Sequence, residues 1–309
     1  MEQFNEYQCD VCFLQCDLHT HSVFSDGTYT PGEIVAEAKR LGLIVALTDH
    51  NTAAGLPEFM DAAQKLGVTA VPGVEFSTDH KGKELHLLGL FVLPKHYTTV
   101  ERMVKEQHVL KEISNMELVE RLNQAGYLID YAKVKGRNPN GNANRAHMAA
   151  ELMEQGYVTS IREAFDTILR DDGGFYVPPL RLQLLDVIKE LRHIGVLPVL
   201  AHPLQELTES ELRELLPDAI AAGLMGIETV HSSYSMEMIS LAEKIAAEFC
   251  LLSSGGSDFH GSVKPDISLG TGRGGLCIPA KTYLDLLNVC NTKDLQSDAD
   301  RHKTFSASC

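Results

Sequence analysis

The stretch best equipped for chemistry is Asp17-Leu18-His19-Thr20-His21-Ser22-Val23-Phe24-Ser25-Asp26-Gly27. Two imidazoles stand two residues apart, with a carboxylate five residues further on. The apolar run Cys12–Leu18 leads into them and reads as a strand. Side chains alternate along a strand, so His19 and His21 share a face and can grip one metal ion. Asp26, beside the turn at Gly27, can reach a neighbouring ion. An isolated HxH is equally a pair of surface histidines, so the weight rests on what the rest of the chain brings to it.

Ionisable residues recur where apolar runs stop. Ile44–Leu47 ends in Thr48-Asp49-His50. Val68–Val71 leads to Gly73-Val74-Glu75. Leu85-His86-Leu87 follows the turn Lys81-Gly82-Lys83. Val196–Ala201 ends in His202-Pro203, Gly226–Val230 in His231, and Cys250–Ser254 in Gly255-Gly256-Ser257-Asp258-Phe259-His260. His19, His21, Asp26, His50, Glu75, His86, His202, Asp258 and His260 form a candidate ligand set. Six of the chain's thirteen histidines belong to it, which a chance scatter would not place repeatedly at strand ends. Nitrogen and carboxylate donors without thiolate suit zinc, manganese or iron. Nine donors are too many for one ion and about right for three.

The elements that position these residues follow the same order. Thr30-Pro31-Gly32-Glu33 opens a helix with a capping box and an early proline. Ile34, Val35, Ala38 and Leu41 form its apolar face, and Gly42 ends it. A second helix spans about Pro57–Leu66. Strand, helix, strand, helix, strand at short spacing signals parallel βα units, whose active sites lie at the strands' C-terminal ends. From residue 96 to 175 the chain turns helical: Val100–Leu122, Ala143–Gln155 and Ile161–Leu169, with a loop at Gly136–Gly141. This reads as a helical insertion capping the mouth of an α/β barrel formed by 13–95 and 176–290. Residues 291–309 read as a polar tail.

Composition bounds the rest. At 309 residues, 44% hydrophobic and 22% charged, the chain can bury a large core. A net charge of −15 argues against broad binding to duplex nucleic acid or anionic membranes. It leaves a small anionic substrate open, because bound cations reverse the local sign. No run is long and apolar enough to cross a bilayer, and the acidic N-terminus lacks a signal peptide's basic start, so a cytoplasmic location is expected. Seven cysteines do not read as a disulfide framework. Cys9 and Cys12 form a lone CxxC, a weak zinc-clip signal, and Cys16 reads as a small core residue.

Taken together, the motifs resemble the polymerase-and-histidinol-phosphatase (PHP) superfamily of metal-dependent phosphoesterases. His19-Thr20-His21 with Ser25-Asp26-Gly27, Thr48-Asp49-His50, Gly73-Val74-Glu75, His86, Ala201-His202-Pro203 and Ser257-Asp258-Phe259-His260 match its motifs in order. The resemblance implies a distorted (βα)7 barrel and three divalent ions. His19, His21, Glu75 and Asp258 would hold one, Glu75, His86 and His202 a second, and Asp26, His50 and His260 a third. Three divalent ions against three carboxylates leave a charge of about +3, which favours a phosphate. A water activated by the ions would be the nucleophile.

Asn144-Arg145-Ala146-His147, Ala164-Phe165 and Tyr176-Val177-Pro178 resemble the cap of the branch that contains nucleoside 3′,5′-bisphosphate phosphatases and 5′→3′ exoribonucleases. Arg145 would then bind substrate phosphate. His231 and His147 are candidates for proton transfer, each with a packing role as its alternative. Arg181 reads as a surface residue with a place facing the mouth as its alternative, Tyr234 as a stacking or packing residue, and Asp49 as a neighbour that orients the ligands. The expected partner is a small phosphorylated substrate, a nucleotide or a short oligonucleotide end. Alternatives are an amidohydrolase, which also begins with HxH, a histidinol-phosphate phosphatase, and a non-catalytic metal-stabilised module.

Overall fold

A computed structural model describes residues 14–137, 143–170, 174–176, 179 and 181–293. Cys9 and Cys12, most of the loop around residue 140, Val177-Pro178 and most of the polar tail lie outside the described residues. In chain order the elements are β1 (Gln15–Asp17), α1 (Pro31–Leu41), β2 (Leu43–Leu47), α2 (Leu56–Leu66), β3 (Ala70–His80) and β4 (Lys83–Leu90). Then come α3 (Tyr97–Gln124), α4 (Tyr131–Gly136), α5 (Arg145–Glu154), α6 (Ile161–Asp166), β5 (Leu182–Gln183) and α7 (Leu184–Ile194). The chain closes with β6 (Leu197–Leu200), α8 (Pro203–Glu206), α9 (Glu209–Ala222), β7 (Gly226–His231), α10 (Met236–Glu248), β8 (Leu252–Gly256) and α11 (Ala280–Lys293).

Seven strands line up in the order β1-β2-β3-β4-β6-β7-β8, and β5 adds to β3. The path nearly closes on itself. Leu18 N–H donates to Gly255 O at 3.1 Å, and Asp258 N–H to His19 O at 2.9 Å. This is the expected distorted (βα)7 barrel. β1, β2 and β3 are parallel, as are β6, β7 and β8.

The distortion lies at β4, which runs antiparallel to both β3 and β6. Its cause is local. Lys81 and Gly82, the two residues between the strands, both take positive φ, 53° and 82°. That is the signature of a two-residue hairpin turn, too short for the crossover that a parallel pairing needs.

The helices form for the reasons read from the sequence, with some bounds moved. Thr30 and Glu33 complete the capping box of α1, and Gly42 ends it at φ 69°. The first strand is shorter than its apolar run because Leu14 is exposed and β1 begins at Gln15. α3 is longer than expected, and α4, β5 and α7 add elements the pattern did not announce. Cys16 is a buried free thiol, whereas Cys250 is disulfide-bonded.

Two buried clusters fill the two sides of the barrel wall. Val100 and Val104, early in α3, join the first of them. Leu118 and Leu122, late in α3, pack instead with Val134, Met148, Leu152, Ala164 and Leu169 in a separate cluster. α3 thus runs from the barrel's core into a second, helical core. No described helix is long and apolar enough to cross a membrane.

Candidate metal centre

The site is built where the strands end. His19 and His21 follow β1 and are fully buried. Beneath them Asp17 ties the seam of the barrel: its Oδ1 accepts Ser257 N–H and its Oδ2 accepts Gly270 N–H, both at 2.8 Å. The fit is so close at Gly256 that a Cβ there would lie 2.2 Å from His19 Cβ, so only glycine fits. The loop from Ser22 to Gly27 folds over Asp49, which accepts Ser22 N–H at 2.7 Å and the Ser22 and Ser25 hydroxyls at 2.6 Å each. Asp49 thus orients the loop, and none of the candidate ligand groups includes it.

His50 follows β2 and bridges to Glu75 on β3. The antiparallel register pairs Glu75 with Leu88 and Ser77 with His86. Glu75 and His86 are therefore diagonal neighbours on one face, close enough for direct contact. His202 and Asp258, at the ends of β6 and β8, take positive φ of 27° and 57°. Strained backbone of this kind persists where the surroundings over-determine it, and it concentrates at functional sites.

All nine candidate ligands meet in one connected cluster. His19 Nε2 lies 3.1 Å from His21 Nε2, and both lie 3.2 Å from Glu75 Oε2. Asp258 Oδ1 is 3.3 Å from His21 Nε2 and 3.8 Å from His19 Nε2. Four donors about 2.1 Å from one tetrahedral ion stand about 3.4 Å apart, so these separations match a single ion. The other oxygen of Glu75, Oε1, lies 2.9 Å from His86 Nδ1 and 3.2 Å from His202 Nε2. Asp26 Oδ1 lies 3.1 Å from His260 Nε2 and 3.8 Å from His50 Nε2, with His21 Nδ1 at 4.0 Å. His50 Nδ1 in turn faces Glu75 Oε2 at 3.0 Å.

The fit to metal shows in what these atoms lack. Asp26 Oδ1, His50 Nδ1, Glu75 Oε2 and His86 Nδ1 are buried and have no properly aligned hydrogen-bond partner. Buried polar atoms are nearly always satisfied, and four such donor atoms within one cluster suit cations between its members. The electrostatics agree. Burial alone would raise Glu75, yet His19, His50 and His86 hold its carboxyl well below the usual range. Burial would lower His21 and His86, but carboxylates override it: Asp258 and Glu75 raise His21 to about 9, and Glu75 and Glu84 raise His86 to about 10. Burial has the upper hand at His50, which it lowers to about 3, and at His202, which it also lowers, so the carboxylates favour positive charge at some imidazoles and leave others neutral, as metal binding requires.

Three residues missed in the sequence reading join the site. Glu228, fully buried on β7, lies 3.1 Å from His19 Nδ1 through Oε1 and accepts His202 N–H at 2.8 Å through Oε2. The only signal for it was a carboxylate inside the apolar run Gly226–Val230. Lys264 Nζ lies 2.6 Å from Asp258 Oδ2. Lys111 of α3 lines the cleft described next; nothing local announces either lysine.

A cleft of about 220 Å³ opens onto Asp26, His50 and His86 between the strand ends and the helices α3 and α5. Lys111, Arg145 and Arg181 line it, with Asn115, Asn144, Phe165 and Tyr176. The Arg145 guanidinium lies over the Tyr176 ring at 4.2 Å and near the Phe165 ring at 5.7 Å. Arg181 is no surface residue: its side chain is 12% exposed and pairs with Glu84 at 2.5 Å. Burial lowers the Lys111 ammonium's pKa, with Arg181 and Arg145 adding to the effect against Asp26 and Glu84.

The other candidates fall elsewhere. His147 completes the capping box of α5: its Nδ1 accepts Asn144 N–H at 3.1 Å. Asn144 in turn donates from Nδ2 to Asp26 Oδ2 at 3.2 Å, which ties the cap to the cluster. His231 Nδ1 is engaged by Ser233 and Gln205, while its Nε2 is unpartnered 3.7 Å from Asp258 Oδ2. Tyr234 is buried, accepts Leu204 N–H at 2.9 Å and packs against His231, so it has the packing role and not the stacking one.

Comparison with known proteins is decisive for the family. The model of the PHP domain matches residues 17–175. The chain belongs to the PHP family. A 5′-3′ exoribonuclease of Haemophilus influenzae is 32% identical over 246 residues, 79% of this chain and 89% of that one. A phosphoribosyl 1,2-cyclic phosphate 1,2-diphosphodiesterase of Eggerthella lenta is 30% identical, over 79% and 94% of the two chains. A 3′,5′-nucleoside bisphosphate phosphatase of Chromobacterium violaceum is 31% identical, over 79% and 86%. A crystal structure from Bifidobacterium adolescentis, described as a candidate metal-dependent phosphoesterase, superposes with a TM-score of 0.79 at 28% identity, covering 89% of this chain and 96% of that one. This PHP-family chain is a metal-dependent phosphoesterase.

Proposed function

We propose that this phosphoesterase holds three divalent ions and removes a phosphate from a nucleotide carrying 3′- and 5′-phosphates, or acts at the 5′ end of a short oligonucleotide. The observation that carries the metal reading is the convergence of nine buried or half-buried donors, four of them with unpartnered atoms inside the cluster. His19, His21, Glu75 and Asp258 would hold one ion, Glu75, His86 and His202 the second, and Asp26, His50 and His260 the third. Glu75 suits the bridging place because its two oxygens face different imidazoles. Manganese, zinc and iron all accept this donor set. When bound, the ions supply positive charge to the phosphoryl oxygens and make water acidic enough to attack near neutral pH.

The chain's own residues do the rest. Arg145, backed by the Tyr176 ring, offers its guanidinium to a substrate phosphate in the cleft. Lys111 and Arg181 line the same cleft. Its small volume suits a nucleotide or a strand end and excludes a duplex. His231, whose Nε2 is unpartnered beside Asp258, is the group we assign to proton transfer with the leaving alcohol. His147 is committed to the cap of α5 and drops out of that role. The names of the relatives support the substrate class: two act on nucleotide or RNA phosphoesters.

The test is phosphate release from adenosine 3′,5′-bisphosphate by the purified protein with manganese, with and without chelator. Chelator-sensitive release giving AMP is the expected result. Cleavage of a cyclic phosphodiester alone, with the bisphosphate and 5′-phosphorylated RNA untouched, would refute the nucleotide assignment and leave the metal reading in place.

A further inference from the structure

We infer that Glu228 is a positioning residue that orients the ligands of two different ions at once. The inference rests on the ligand sets proposed above. Glu228 lies on β7 and is fully buried. Its Oε1 faces His19 Nδ1 at 3.1 Å, while the Nε2 of the same ring points into the first ligand set. Its Oε2 accepts the backbone N–H of His202 at 2.8 Å, and His202 belongs to the second set. The two bonds do different work. The first fixes the His19 tautomer, with Nδ1 carrying the proton and Nε2 left to bind metal. The second pins the residue whose φ of 27° is otherwise unfavourable, and so fixes where the His202 ring stands. A single ionised carboxylate can accept both bonds because both of its oxygens are acceptors. The third set, Asp26, His50 and His260, makes no contact with Glu228 among the described residues.

Glu228→Met is the discriminating variant. It keeps about the same volume but has no acceptor oxygen, so His19 Nδ1–H and His202 N–H both lose their partner. Carboxylate partners behind metal-binding histidines are commonly worth 10- to 100-fold in metal affinity. Chelator-stripped wild type and variant would be equilibrated with Mn2+ at buffered free concentrations, and bound metal counted by elemental analysis. The expected result is a variant that retains one ion at free Mn2+ sufficient for three in wild type. The other two return at 10- to 100-fold higher concentration. The melting temperature of the metal-free variant stays near that of metal-free wild type. Unchanged affinity, loss of a single ion, or equal weakening of all three would overturn the inference; the last would mark Glu228 as a general packing residue.

A second readout covers a variant that fails to fold. In 15N-histidine spectra of the Mg2+- or Zn2+-loaded wild type, His19, assigned by its loss in His19→Gln, shows the proton on Nδ1. A proton on Nε2 would overturn the inference. A wild type that never binds three ions would instead defeat the ligand sets themselves, so the two failures are distinguishable.

Discussion

Asp49 gives the sharpest test of how the site is held in shape. It is buried and accepts three hydrogen bonds: Ser22 N–H at 2.7 Å and the Ser22 and Ser25 hydroxyls at 2.6 Å each. These bonds hold the loop that runs from His21 to Asp26, two candidate ligands of different character. A hydrogen bond to an ionised group contributes about 1.5–3 kcal/mol. Three would sum to more than 4 kcal/mol, and partial relaxation of a short loop brings the cost of Asp49→Ala to about 4 kcal/mol. Against the 5–15 kcal/mol typical of a folded domain, that is a large loss, and it lowers the melting temperature by about 10 °C. Asp49→Asn behaves differently. Its carbonyl oxygen still accepts Ser22 N–H and the Ser25 hydroxyl, and its amide donates to Ser22 Oγ once that hydroxyl turns, so the cost is within about 1 kcal/mol. The assay is thermal unfolding of the metal-free proteins followed by circular dichroism, with phosphate release measured after reloading with manganese. The Asn variant retains activity and the Ala variant loses most of it. Equal destabilisation by both substitutions, or an Ala variant as stable as wild type, would refute the argument that hydrogen bonding to Asp49 shapes the loop.

His50→Ala removes a donor that faces both Asp26 and Glu75; turnover falls at least about 100-fold while the metal-free melting temperature changes little, read by phosphate release and thermal unfolding. Arg145→Ala removes a charge-assisted contact of about 1.5–3 kcal/mol to substrate phosphate, so KM rises about 10- to 100-fold with a smaller change in kcat; an unchanged KM would return Arg145 to the role of a helix-surface cation. Chelation abolishes phosphate release and manganese restores it. Because imidazole ligands must be neutral to bind, the apparent metal affinity falls as pH drops from 8 to 6, measured by competition with a chelating dye; a pH-independent affinity would contradict a histidine-rich site.

Much of this molecule was legible in the chain because its signals are local. A capping box needs only Thr30 and Glu33 three residues apart, and α1 begins where they predict. An HxH at the end of a strand needs only the alternation of side chains, and His19 and His21 do face the same cluster. The turn Lys81-Gly82-Lys83 was readable too, but the antiparallel course of β4 was not drawn from it and shows only in the strand pairing. The family motifs are short and stand at strand ends, so their order along the chain sufficed for the fold and for the identities of the nine clustered donors.

What the chain could not convey depends on which strands become neighbours. Glu228 looked like an isolated polar residue in a strand; only the packing of β7 beside β6 and β8 brings it to His19, 209 residues away, and to His202. Arg181, after a proline-rich stretch, could be read as facing either the surface or the mouth; the pairing with Glu84 of the hairpin puts it in the cleft. Lys111 sits on a long helix with no local mark of a cleft. His147 and Arg145 stand two residues apart at the start of one helix, yet one closes the helix end and the other lines the cleft, because a helix turns 100° per residue and its neighbours decide which face is buried. Residue types and spacing thus determined which groups could bind metal and where the strands would deliver them. The tertiary structure alone decided how they share oxygens, which residues hold them in place and which cations line the cleft, because those depend on distances between segments far apart in the chain.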